Sequence, residues 1–101
     1  MKISAQNKTI YSIAISDAET AWRIQDANLV LEYLQDQRKI VLGGDILDKQ
    51  GKYTYDSWYY NVDSNKNLQF NVEYSYRTST EYISNYMKAN GSAFYVVFVV
   101  K

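Results

Sequence analysis

The chain has 101 residues, of which 47% are hydrophobic and 22% charged, with 11 basic and 11 acidic side chains. The length predicts one domain over residues 1–101, the composition excludes a disordered chain, and zero net charge leaves no electrostatic case for nucleic acid, which is held through many phosphate contacts. Cys and His are both absent, which removes disulfides, thiolate nucleophiles, His-based triads and the usual zinc ligands.

Charge is spread evenly along the chain. The 1–7 stretch shows no basic segment followed by an apolar one, so no signal peptide is expected. The longest apolar run, Ala93 to Val100, is far shorter than the ~20 residues of a membrane-spanning helix. Together with the missing cysteines, these features point to a cytoplasmic protein with no membrane partner. Tyrosine is the strongest skew. Eight of the 11 tyrosines fall between Tyr53 and Tyr86. Tyr suits protein interfaces, and it equally suits half-buried strand positions.

Ile10 to Ile15 is a short apolar segment that reads as an edge strand or a packed arm. Ser16 with Glu19 has the spacing of a capping box, which would start a helix at Asp17. However, Ala27, Val30, Leu31 and Leu34 form an i, i+3, i+4, i+7 stripe on another phase. One straight helix cannot turn both stripes to one core. The chain is therefore predicted to break near Asp26, which caps a helix from Ala27 to about Gln37, with 20–24 as a short strand.

Ile40-Val41-Leu42 and Ile46-Leu47 flank Gly43-Gly44-Asp45 and predict a strand buried on both faces. The glycine pair inside it marks a bulge or a close backbone approach. Residues 48–51 read as a hairpin turn around Gly51, and 53–61 as the returning strand. Asn61, Asp63, Asn65 and Asn67 predict an exposed turn. Their spacing has some likeness to a calcium loop, but the central Gly is missing and Val72 stands where the closing Glu would be. Residues 68–76 fit a further strand or an irregular approach to a helix. That helix starts at a capping box of Thr78 and Glu81, turns Tyr82, Ile83, Tyr86 and Met87 inward, and ends at Asn90-Gly91. Ala93 to Val100 is then a central strand. The expected architecture is α+β: a small mixed sheet with two helices on one face, roughly β-α-β-β-α-β.

No phosphate-cradling loop is present. Carboxylate pairs such as Asp45 with Asp56 are more ordinary as surface charges or turn caps than as acid–base partners. No catalytic residue, metal ligand or cofactor is therefore assigned, and the protein is read as a binder rather than an enzyme.

The most distinctive segment joins Gly43-Gly44-Asp45 and Gly51 to Tyr55-Asp56-Ser57-Trp58-Tyr59-Tyr60. With Trp22 just before the first amphipathic helix and a closing helix and strand, this pattern resembles the immunity protein 40 family of bacterial polymorphic toxin systems. The resemblance covers residues 22–100. It implies an α+β protein of the cytoplasm that binds and neutralises a cognate toxin stoichiometrically and without a cofactor. Two readings of the motif stand side by side. Trp22, Gly43, Gly44 and Gly51 are expected to be structural, and Trp58 and Asp45 would join them as core and turn cap. Alternatively Asp45, Asp48, Asp56, Trp58, Tyr59 and Tyr60 form an aromatic–acidic contact patch. Strand alternation permits both, with Trp58 and Tyr60 on one side and Tyr59 on the other. A competing function is a small-ligand module of carbohydrate type, which requires a concave pocket lined by Trp58 and several tyrosines.

Overall fold

The computed structural model describes residues 2–5, 8–14 and 20–101. Two strands, β1 (Lys2–Ala5) and β2 (Lys8–Tyr11), form a separate antiparallel hairpin. The main sheet contains β3 (Ile13–Ala14), β4 (Thr20–Arg23), β5 (Val41–Leu47), β6 (Tyr53–Tyr59) and β7 (Tyr95–Val100). Its order is β3-β4-β7-β5-β6. Helix α1 (Ala27–Asp36) follows β4 through a 3₁₀ turn at Ile24–Asp26, and α2 (Leu68–Asn90) lies between β6 and β7.

The α+β class and the β-α-β-β-α-β order are as expected, and β7 is central. The sheet differs from the mixed one expected, because each pairing between neighbours is antiparallel. Each helical crossover does join two strands that run the same way, β4 to β5 and β6 to β7. In both cases another strand lies between them. The parallel relations are thus split and never form a ladder.

Register separates the two sides of the sheet. Trp22 is opposite Val96, Ile46 is opposite Val96, and Gly44 is opposite both Trp58 and Phe98. These residues share the side that carries both helices. There Ile24, Ala27, Ile46, Trp58, Ile83 and Val96 form one buried cluster. Trp22 and Val30 form a second cluster with Ile3 and Ile10 of the hairpin. Among the described residues, no helix lies on the opposite side. It carries Ala21, Leu47 and Val97, packed with Tyr95.

α1 starts at Ala27 as its stripe requires, with Ala27, Val30 and Leu31 buried and Leu34 half-buried. Asp26 occupies the cap position, but its side chain makes no capping hydrogen bond. Its carboxylate instead accepts from Lys8 Nζ at 3.1 Å, tying the hairpin to the main body. The proposed capping box of Ser16 and Glu19 lies outside the described residues.

α2 is the larger departure. It begins ten residues before Thr78, at an Asn67 cap whose side chain accepts from the Phe70 amide at 2.8 Å. Thr78 and Glu81 are interior helix residues, and 68–76 is helix, neither a further strand nor an irregular approach. The buried side of this first half carries Asn71, Val72, Ser75 and Ser79. Ser75 Oγ donates to the Val72 carbonyl at 3.1 Å and accepts from the Val41 amide at 3.0 Å, which bonds α2 directly to the start of β5. The helix ends at Gly91, whose φ of 88° is open to glycine and costly for other residues.

Candidate functional site

The Tyr-Asp-x-Trp-Tyr-Tyr run forms β6 and the residue after it. Among the described residues β6 is an edge strand, paired only with β5. Alternation divides its side chains between core and solvent. Trp58 is 7% exposed and Tyr59 is 75% exposed.

Trp58 is a core residue, so the contact-patch reading fails for it. Its indole stacks on Tyr82 with centroids 5.0 Å apart and meets Phe98 edge-on at 6.0 Å. Its Nε1 donates to Ser79 Oγ at 3.0 Å, satisfying the one polar atom of the ring. Gly44 faces it across the ladder. A Cβ on Gly44 would stand 2.5 Å from Trp58 Cη2 and 2.5 Å from the Val97 carbonyl oxygen. Gly43 lies at an irregular step in the β5–β7 register with a φ of 148°, and a Cβ there would meet the Trp58–Tyr59 backbone. Both glycines therefore serve a close backbone approach, as the sequence implied. Trp22 is buried in the second cluster.

Tyr60 also turns inward. Its hydroxyl donates to Asn71 Oδ1 at 2.8 Å, and burial raises its pKa above the ordinary phenol value. Asp48 closes the hairpin turn. Its Oδ1 accepts from the amides of Lys52 at 3.0 Å and Gln50 at 2.8 Å, which lowers its pKa. Gly51 completes that turn with a φ of 80°. Asp63 Oδ1 accepts from the Asn65 amide at 3.0 Å, and with Asn67 capping α2 the asparagine-rich loop uses these side chains as turn bonds.

The helix-free side brings other residues together. Tyr59 is directly opposite Gly43, which is itself opposite Val99. One step along, Ser57, Asp45 and Val97 lie abreast. Tyr59 and Val99, 75% and 48% exposed, flank a strand position with no side chain, and half-buried Asp45 lies beside them. Of the expected contact residues, Tyr59 and Asp45 share this side. Asp48 is at the turn, Asp56 is at a bulge, and Trp58 and Tyr60 are beneath the sheet.

The sequence reading assigned no role to Tyr55. Asp45 pairs with Ser57 and Leu47 with Tyr53, so β5 advances two residues where β6 advances four. Tyr55 stands in the middle of this bulge with a φ of 70° and 93% exposure. Thr54 Oγ1 donates to the Ile46 carbonyl at 2.8 Å and accepts from the Asp56 amide at 3.1 Å. Asp56 Oδ2 accepts from the Tyr86 hydroxyl on α2 at 2.8 Å. Burial, and then this carboxylate, raise the Tyr86 pKa. Only the aromatic density of the run hinted at such a residue, because the bulge depends on pairing with β5.

The family model for immunity protein 40 matches residues 9–100. The chain belongs to the immunity protein 40 family. No curated protein and no solved structure shows significant similarity to it. Within this immunity protein 40 fold, the Gly-Gly pair and Trp58 are one packed unit, while Tyr59 and Tyr55 project from the strand that the unit holds. Trp58 cannot line a sugar-binding pocket from beneath Tyr82. Recesses of about 340 and 280 Å³ are lined instead by residues such as Ile13, Gly51 and Tyr95, and Arg23, Gln25, Lys49 and Ser92. No described helix is long and apolar enough to cross a membrane.

Proposed function

We propose that this protein is a cytoplasmic immunity protein that binds and neutralises a cognate bacterial toxin by stoichiometric contact, without catalysis or a cofactor. The observation that carries the reading is the exposed ring of Tyr59 on a strand backed by the Gly44–Trp58 unit, in a chain of an immunity protein family. A rigid aromatic loses little conformational entropy on docking, and Tyr is enriched at the centres of protein interfaces. Val99 adds apolar area beside it. Asp45 supplies a negative charge suited to a basic patch on the toxin.

The test is a pull-down from the producing strain with the full chain as bait, followed by assay of the retained protein for toxicity and its suppression. The wild-type chain is expected to retain one toxic effector at one-to-one stoichiometry and to suppress it. The Tyr59→Ala chain, folded by circular dichroism, is expected to retain much less. Wild-type bait that neither retains nor suppresses a toxic protein refutes the reading.

A further inference from the structure

We propose that Tyr55 is the anchor of this interface, a side chain held ready to enter a recess on the toxin with apolar walls and a hydrogen-bonding group at its floor. The inference rests on the immunity reading above and deepens it. Two properties of Tyr55 are individually uncommon and together point to recognition. It is the most exposed of the large hydrophobic side chains identified, at 93%. Its φ of 70° lies in the left-handed region, which disfavours a residue with a bulky side chain. An exposed ring gains no packing in the free protein to offset that strain, and glycine or asparagine would take the same backbone more easily.

The conformation is held by its neighbours. Thr54 is fixed to the β5 backbone at Ile46, the Asp56 amide is bonded to Thr54, and the Asp56 carboxylate is bonded to Tyr86 on α2. These anchors flank Tyr55 on both sides and leave its ring projecting. Backbone strain that its surroundings enforce tends to be kept where it serves function, and bulges commonly re-aim a side chain. The geometry is convex, so the complementary surface is concave. A phenol placed there offers an apolar ring and one donor–acceptor hydroxyl, the combination that makes Tyr a recurrent interface anchor.

The experiment uses the producing strain with this gene deleted, complemented by the full-length wild-type chain or by Tyr55→Gly, Tyr55→Ala and Tyr55→Phe, and grown among wild-type siblings. Melting temperatures of the purified chains and their affinity for the captured toxin are measured alongside. Tyr55→Gly is expected to melt no lower than wild type, because it relieves the strain, yet to lose protection and bind at least about thirtyfold more weakly. Tyr55→Ala should also lose protection, and Tyr55→Phe should keep part of it. Full protection and unchanged affinity in the Gly and Ala variants overturn the anchor while leaving the immunity reading intact. A markedly lower melting temperature for Tyr55→Gly also overturns it, because the side chain would then serve packing. Failure of the wild-type chain to protect refutes the underlying reading, and the anchor with it.

Discussion

The indole of Trp58 occupies the space that a side chain on Gly44 would need. The two residues are directly opposed in the β5–β6 ladder, with the Val97 carbonyl closing the third side. A methyl group at Gly44 must displace both a ring stacked on Tyr82 and the backbone of the central strand. Gly44→Ala is therefore expected to cost about 1–3 kcal/mol, the range for overpacking a filled core. Urea unfolding should show a lower midpoint with an unchanged slope. An unchanged midpoint would mean that both the ring and the Val97 carbonyl have room to retreat.

The same ring makes Ser79 a structural residue. Ser79 is fully buried, and its hydroxyl is the acceptor for Trp58 Nε1 at 3.0 Å. Ser79→Ala raises helix propensity but leaves a buried indole N–H without a partner, at a cost of about 1–3 kcal/mol. The double variant Ser79→Ala, Trp58→Phe removes donor and acceptor together. Its destabilisation should be smaller than the sum of the two single changes, as a double-mutant cycle would measure. Additive losses would show that the bond contributes nothing.

The first half of α2 explains why sequence periodicity located the helix too late. Periodicity reads apolar residues, but the inward side there carries Asn71, Ser75 and Ser79 around Val72. Those residues are buried because they bond to Tyr60, Val41 and Trp58, all distant in sequence. From Tyr82 onward the buried side is apolar, and there the expected residues are the observed ones. α1 was legible for the same reason. The split between Trp58 and Tyr59 follows from strand alternation alone. Tyr55 was invisible because its conformation arises from a mismatch between two strands, and a single strand read by itself contains no register.

Asn71 is the polar centre of the 61–67 loop. It accepts from the Tyr60 hydroxyl and the Asp63 amide, each at 2.8 Å, and donates to the carbonyls of Asp63 at 3.1 Å and Asn67 at 3.0 Å. A 3% exposed side chain with its hydrogen-bonding capacity used this fully is expensive to remove. Asn71→Ala is expected to cost about 2–4 kcal/mol, and Asn67→Ala, which removes only the helix cap, about 1 kcal/mol. Hydrogen exchange of the Asp63 amide should accelerate in the Asn71 variant. Protection equal to wild type would remove Asn71 from this role.

Alkaline pH should unfold the protein through its tyrosines. Burial raises the pKa values of Tyr60, Tyr76, Tyr82 and Tyr86 above 10.0, and nearby carboxylates add to the effect, with Asp63 acting on Tyr60, Glu32 on Tyr76 and Asp56 on both Tyr82 and Tyr86. These groups lose a proton more readily in the unfolded chain than in the folded one. Above the unfolded value, folding therefore holds protons that the open chain would release, and stability falls as pH rises. Below about pH 10 the contribution is complete and flat. Ultraviolet titration should show the four shifted phenols ionising above the ordinary phenol range, in step with the loss of structure. Asp56→Asn removes the charge facing Tyr82 and Tyr86 and keeps an acceptor for the Tyr86 hydroxyl, so their ionisation should move to lower pH with the fold retained. No change in their ionisation would show that burial alone sets those values.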